Sequence, residues 1–399
     1  MKTINKIFVS LALVGLAGCG SSSDSTPATV TVPDPVSTVG LSNNEICSTQ
    51  TNDVQWDLLL TQDAQNLSTY QLFESQCNPT ANANARGLPF DLAVPLFTDY
   101  ASKYRFVFVP ENETATYQAS EAFDFPIGTV IVKTFTLPTD TSDRGVNKEE
   151  IIETRLLIKR DNGWNAFPYI WNEDKSDAVL SLIGGSTEAS IIHDAETLNF
   201  EYGVPNGQQC IKCHQLKPGG DAKLAYIAPI GPKARFLNSD FDYGTGPENQ
   251  IAKWVSEGLL TGVPVAAEEI DATPKFSDAT DINAISPSLL DGYARAWLDI
   301  NCAHCHREEG DAGNTNFNAL WGEASSLATC NQPISYGGQG LSWIITPGEA
   351  DQSILIQRME ALPDGNGDQM PPLGRDLVHS EGSELIKAWI NASTATPCN

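Results

Sequence analysis

The pattern of apolar and polar positions changes near residue 200, and the two parts predict different secondary structure. Before that point, apolar and polar residues alternate in three short runs, which is the period of strands with one buried face. These runs are 105–110, 128–135 and 153–160. Residues 43–200 are therefore predicted to form a β-rich domain, a sandwich or a half-open barrel, with a helical stretch near Leu58–Leu72 at its start.

After residue 200 the apolar residues recur at helical spacing instead. Three segments have such a face: 249–259, 286–300 and 383–391. We expect two mainly α-helical regions, 201–275 and 276–399, because the chain is too long for one ordinary domain. The predicted fold class is thus multidomain α+β, with the β-rich domain first.

The first residues predict export from the cytoplasm. Lys2 and Lys6 precede a short apolar stretch, residues 7–16, which is too short to span a bilayer and typical of a secretory signal. The stretch ends in Leu16-Ala-Gly-Cys19, which resembles the lipobox of bacterial lipoproteins. The resemblance implies a signal peptide at 1–18, lipidation of Cys19 and attachment to a membrane of the bacterial cell envelope, for which we expect the outer membrane, on its periplasmic or surface face. Residues 19–42, rich in Ser, Thr and Pro, predict a flexible tether.

The charge balance excludes one class of partner. Acidic residues outnumber basic residues 50 to 24, for a formal net charge of −26. Such a chain would repel a phosphate backbone, so nucleic-acid binding is disfavoured. The acidity could attract a redox partner with a basic surface, although a plain solvated surface explains it as well.

Two Cys-x-x-Cys-His motifs carry the clearest chemistry. They are Cys210-Ile-Lys-Cys213-His214 and Cys302-Ala-His-Cys305-His306. In c-type haem attachment both thiols add to the vinyl groups of one porphyrin, and the following His ligates the iron. A Cys-x-x-Cys pair alone could be a thiol redox motif or half a zinc site. The His directly after it, twice in an exported chain, predicts two covalently bound haem c groups.

The remaining cysteines predict disulfides. Besides Cys19 and the motifs, four are left in an oxidising compartment: Cys47, Cys77, Cys330 and Cys398. Three pairings are possible. We prefer Cys47–Cys77 and Cys330–Cys398, because each pair then stays inside one predicted domain.

The second motif has further residues around it that suggest a fold. A helix bearing Trp297 leads into Cys302, Met370-Pro371-Pro372 follows, and a helix bearing Trp389 comes last. This order resembles class I cytochrome c. The resemblance implies that His306 and Met370 are the two axial ligands of a six-coordinate, higher-potential haem. A thioether ligand favours ferrous iron.

The first motif has no Met loop, and its sixth ligand is left open. Candidates are His193, His379, Lys233 or no protein ligand at all. Met359 lies in a helical stretch and is expected in the core, while His379 is expected at the surface. His304, inside the second motif, is expected to be a spacer.

From Leu88 onward the chain resembles a family of bacterial dihaem c-type lipoproteins that is usually described only as hypothetical. The matching segments are 89–100, 125–130, 153–155, 169–172, 301–306, 347–348 and 370–372. The resemblance implies haem binding and electron transfer, without a defined substrate.

Three functions follow as hypotheses. The leading one is a membrane-anchored dihaem cytochrome that passes electrons between redox partners. The main alternative is an enzyme that resembles dihaem peroxidases, with an open distal site at the His214 haem. In the third, the β-rich domain binds a substrate whose oxidation is coupled to the haems.

Overall fold

The computed structural model describes residues 47, 49–219, 224–322, 328–363 and 365–398. All of them belong to one unit, residues 37–399. The predicted signal peptide, Cys19 and the tether lie outside the described residues.

Strands dominate the first half and helices the second. The strands are β1 (Leu88–Phe90), β2 (Ser102–Phe108), β3 (Ala115–Thr116), β4 (Val130–Pro138), β5 (Glu149–Arg160), β6 (Gly163–Trp171), β7 (Ala178–Leu180), β8 (Gly185–His193), β9 (Glu196–Val204), β10 (Gln215–Leu216), β11 (Tyr226–Ile227), β12 (Asp240–Asp242), β13 (Pro247–Asn249) and β14 (Leu260–Thr261). The α-helices are α1 (Trp56–Thr61), α2 (Gly207–His214), α3 (Ala234–Leu237), α4 (Gln250–Ser256), α5 (Pro287–Asn301), α6 (Ile354–Glu360) and α7 (Ser380–Asn391).

Six strands form one antiparallel sheet in the order β1-β2-β4-β5-β6-β7. The three predicted strand runs are confirmed as β2, β4 and β5, the central strands of this sheet. Side chains alternate between the two faces. Val132 and Leu156 lie on one face, whereas Ile131 and Leu157 lie on the other.

The N-terminal segment covers the first of these faces. Leu59, Tyr70 and Phe73 pack there against buried side chains of the sheet. The single helix predicted near Leu58–Leu72 is wrong in extent, since α1 ends at Thr61 and only a 3-10 turn, Leu67–Tyr70, follows. The Tyr70 hydroxyl donates to the carbonyl of Gln62 at 2.8 Å, which holds this segment folded back on itself.

The opposite face is covered by the C-terminal half of the chain. One apolar cluster contains residues of all three predicted regions, among them Val107, Trp254, Trp297 and Ile386. The core is therefore continuous across residues 200 and 275. The predicted sandwich or half-open barrel is not formed by the described residues, because helices and loops, rather than a second large sheet, cover the six-stranded sheet.

The predicted helices of the second half are confirmed as α4, α5 and α7. Pro287 lies in the first turn of α5, where its missing N–H costs nothing. Helix α2 was not predicted. It begins with a capping box, in which the Asn206 side chain accepts from the Gln209 N–H and the Gln209 side chain accepts from the Asn206 N–H.

Both preferred disulfides are present in the structure. Cys47 is bonded to Cys77 and Cys330 to Cys398, each with 5.2 Å between the Cα atoms. The second disulfide ties the C-terminal residues to the segment that follows the second motif. Among the described residues, no helix is both long and apolar enough to cross a bilayer.

Candidate cofactor site

The two Cys-x-x-Cys-His motifs lie side by side. The first forms the end of α2, and the second follows the end of α5. The sulfurs of Cys213 and Cys305 and a ring nitrogen of His304 lie within 4.8 Å of one another. The Cys305 thiol donates to the carbonyl oxygen of Lys212, in the first motif, at 3.7 Å.

A cavity of about 320 Å³ opens beside the second motif. Its walls are mainly apolar and include Phe317, Ile344 and Leu355, with Cys302, Cys305 and His306 on one side. Both methionines that follow Met1 in the sequence, Met359 and Met370, also line it. Met359 is buried, as expected for a core residue.

His306 has one ring nitrogen fixed by the protein and one left free. Its Nδ1 lies 3.1 Å from the Thr315 hydroxyl, which itself donates to the Ala312 carbonyl at 2.8 Å. The hydroxyl therefore accepts from His306 Nδ1–H, and Nε2 keeps its lone pair. Burial lowers the pKa of His306 to about 4, so the imidazole is neutral. This is the state in which histidine ligates a metal.

His214 is held in the same tautomer. Its Nδ1 lies 2.8 Å from the carbonyl oxygen of Ala228, which can only accept, so Nδ1 carries the proton. Burial lowers the pKa of His214 to about 4 as well. Ligating histidines usually donate their other N–H to such a carbonyl. Both motif histidines therefore present a free Nε2.

A second cavity, of about 130 Å³, lies between the first motif and the sheet. Cys210, Cys213 and His214 line one side, and Ile131 and Leu157 of the sheet line the other. Three basic side chains of the sheet also border it: Arg105, Lys133 and Arg155. Among the described residues that line this cavity there is no methionine.

One loop borders both cavities. Met370, Pro371 and Pro372 line the cavity of the second motif, while Leu373 and Gly374 line the cavity of the first. Arg375 is only 5% exposed and donates to the carbonyl oxygens of Met370 and Met359, each at 3.0 Å from Nη2. This arginine fastens the Met370 loop to the end of α6.

A buried ion cluster links the segment that follows the first motif to helix α5, which precedes the second. Asp299, on α5, is fully buried and accepts from Arg235 Nε at 2.8 Å. Lys233 lies 3.3 Å from the same carboxylate. The Lys233 ammonium is thus engaged in an ion pair, which disfavours it as an iron ligand.

His193 and His379 lie in a separate cluster and not on the wall of the first cavity. His379 stacks on Phe97 with 4.3 Å between ring centres, and Trp297 Nε1–H donates to its Nδ1 at 3.3 Å. The expectation that His379 is a surface residue is wrong, because it is 5% exposed at the start of α7 and packed between these rings. His193 stacks on Tyr100 at 4.0 Å.

Sequence reasoning missed the residues that support the motifs, namely Ala228, Thr315 and Arg375. Their roles depend on contacts between distant segments, for which a single sequence gives no signal. The basic residues of the sheet face could have been found from the sequence. Arg105, Lys133 and Arg155 are charged residues that lie among apolar residues in the three predicted strand runs. His304 was expected to be a spacer, but it lies beside Cys213 and Cys305, and its buried Nδ1 has no hydrogen-bond partner.

The donor groups fit haem c at each motif. Each motif offers two thiols and a neutral imidazole with a free Nε2, next to a cavity whose walls are mostly apolar. No protein-family model matches the chain, and no curated protein or solved structure matches it either.

Proposed function

We propose that this protein is a dihaem c-type cytochrome that transfers electrons between redox partners outside the cytoplasm. The observation that carries the proposal is the closeness of the motifs: the sulfurs of Cys213 and Cys305 lie within 4.8 Å of each other, so two porphyrins attached there would be close neighbours. Such closeness favours electron exchange between the two sites.

Bound haem iron supplies one-electron chemistry by alternating between its ferric and ferrous states. The chain would hold each porphyrin through the thiols of one motif and ligate its iron through His214 or His306. The hydrogen bonds from Nδ1 of these residues to Ala228 and Thr315 fix the rings for that role. Met370 would hold the same iron together with His306, which its place on the wall of the same cavity supports.

The same proposal places the protein in the bacterial cell envelope, held to the outer membrane through lipidated Cys19. The net charge of −26 favours redox partners with a basic surface.

The decisive test is the number of covalent haems in each of three variants. We expect a wild-type mass that includes two porphyrins when the chain is produced with the haem-attachment machinery, and a denatured band that stains for haem. The double variants Cys210→Ala/Cys213→Ala and Cys302→Ala/Cys305→Ala should each lose one porphyrin. Cys47→Ser/Cys77→Ser, which removes only a disulfide, should keep both. A wild-type mass without porphyrin would end the proposal.

One observation favours the alternative of a peroxidase-like enzyme. The described residues lining the first cavity include no methionine, and Lys233 is paired with Asp299, so neither a methionine nor Lys233 is available as a second iron ligand beside His214. A high-spin signal in the electron paramagnetic resonance spectrum together with peroxide-dependent turnover would favour the enzyme. Two low-spin haems without turnover would favour the electron carrier.

A further inference from the structure

Three basic residues stand in one row across the sheet, on the face toward the first motif. Lys133 of β4 is directly opposite Arg105 of β2 on one side and Arg155 of β5 on the other. All three line the cavity that also contains Cys210, Cys213 and His214. Like charges directly opposite each other destabilise a sheet, so this row calls for a compensating anion.

The two arginines have carboxylate partners, whereas the lysine lies over an aromatic ring. Arg105 forms an ion pair with Asp91, and Arg155 binds Glu153 through two hydrogen bonds of 2.8 and 2.5 Å. The Lys133 ammonium lies 4.9 Å from the centre of the Phe135 ring, but no carboxylate in the described part of the chain pairs with it. The row therefore places an amine without a carboxylate partner in an enclosed space. Burial and the flanking arginines lower the pKa of Lys133 well below its ordinary range, and an anionic ligand in the cavity would stabilise its charged form.

The next row on the same face is apolar. It consists of Val107, Ile131, Leu157 and Ala166, which are opposite one another on β2, β4, β5 and β6. The last three line the same cavity. The cavity thus has a hydrocarbon wall beside a cationic wall, and it suits a flat apolar ligand with carboxylates along one edge.

We propose that the row Arg105–Lys133–Arg155 binds the propionate carboxylates of the haem attached at Cys210 and Cys213, with Lys133 as the principal partner. The inference rests on the proposed function, and it adds a role for the β-rich half of the chain: the sheet is one wall of the haem site. The row of Ile131, Leu157 and Ala166 would pack against the porphyrin body.

The test is a spectroelectrochemical titration of the haem-loaded Lys133→Met variant. Loss of a positive charge beside the haem stabilises ferric iron, so the ferrous to ferric ratio of one haem at a fixed potential should fall about tenfold, which corresponds to about 59 mV. The pH dependence of that potential should move to higher pH, because the propionate loses its cationic partner. Lys133→Arg should restore both values toward wild type.

The matched control is Lys148→Met, because Lys148 is an exposed lysine paired with Asp143 and does not line the cavity. It should leave both potentials unchanged. The inference is overturned if Lys133→Met has no effect on either potential. It is also overturned if the variant converts the haem at Cys210 and Cys213 from low to high spin, because Lys133 would then be an iron ligand. Absence of porphyrin from the wild-type chain is a different result, since it removes the proposed function itself.

Discussion

The guanidinium of Arg375 donates to the carbonyl oxygen of Met370 at 3.0 Å, although the arginine is almost completely buried. The same group donates to the carbonyl of Met359 at 3.0 Å. One charged side chain thus fixes the two methionines that line the cavity of the second motif. If His306 holds a haem, only one of the two methionines can also ligate its iron. Substituting each methionine in turn shows which one it is.

Met370→Ala should remove the sixth ligand of the second haem. We expect loss of the charge-transfer band between a methionine sulfur and ferric iron and a lower potential for one haem, because a thioether stabilises the ferrous state. Met359→Leu is the matched control, since Met359 lines the same cavity from α6 and leucine conserves its volume. A Met370→Ala spectrum identical to wild type would refute the assignment.

Arg375→Met should loosen the Met370 loop without removing the ligand. The substitution leaves several buried carbonyl oxygens without a donor, which should lower the free energy of unfolding by at least about 2 kcal/mol in a urea titration. The same charge-transfer band should weaken or shift, which a purely structural arginine far from the ligand would not cause. Arg295→Met, which breaks an exposed ion pair on α5, should change neither quantity appreciably.

The sequence was sufficient for elements with a strong local period. Strands β2, β4 and β5 and helices α4, α5 and α7 follow from alternating or helical spacing. The expectation of one buried face per strand was wrong, because both faces of the sheet are covered and Ile131 and Val132 of β4 are both buried. Helix α2 was missed because it is only eight residues long and depends on the Asn206 capping box. The segment from Leu58 to Leu72 was misassigned because its apolar residues pack against the sheet from a folded-back turn rather than from one helix.

Of the candidate site, the sequence predicted only the two Cys-x-x-Cys-His motifs and not how they are arranged. The Cys-x-x-Cys-His spacing identifies the thiols and histidines, but it does not show that Cys213 meets Cys305. That contact is made by α2 and α5, which are separated by more than seventy residues of chain. The cationic row of the sheet depends on strand register, which brings Arg105 and Arg155 to either side of Lys133.

Cys19→Ser should release the protein from membranes. Cys19 is the proposed attachment point, and if acyl chains there hold the chain to the membrane, the variant should be recovered in the soluble fraction after cell fractionation. Haem content should not change, which distinguishes lost anchoring from failed folding. Continued membrane association of a haem-loaded Cys19→Ser chain would contradict lipidation.

Asp299→Asn should destabilise the whole fold. It leaves Lys233 and Arg235 inside the protein without their carboxylate, and such a loss typically costs about 3–5 kcal/mol of unfolding free energy. Asp291→Asn, on the same helix, should cost at most about 1 kcal/mol because its pair with Arg295 is exposed. Chemical denaturation followed by tryptophan fluorescence measures both, and equal losses would contradict the role given to the buried cluster.

Chain produced without haem should bind one thiophilic cation where the two motifs meet. The sulfurs of Cys213 and Cys305 and a nitrogen of His304 lie within 4.8 Å of one another, and two thiolates with an imidazole suit Zn²⁺ or Cd²⁺. A Cd²⁺ titration should give a thiolate charge-transfer band that saturates at one equivalent and weakens in His304→Ala. Haem attachment consumes both thiols, so the haem-loaded protein should show no such band. If it bound Cd²⁺ equally well, Cys213 and Cys305 would be free thiols, and neither motif could hold its porphyrin by two thioether bonds.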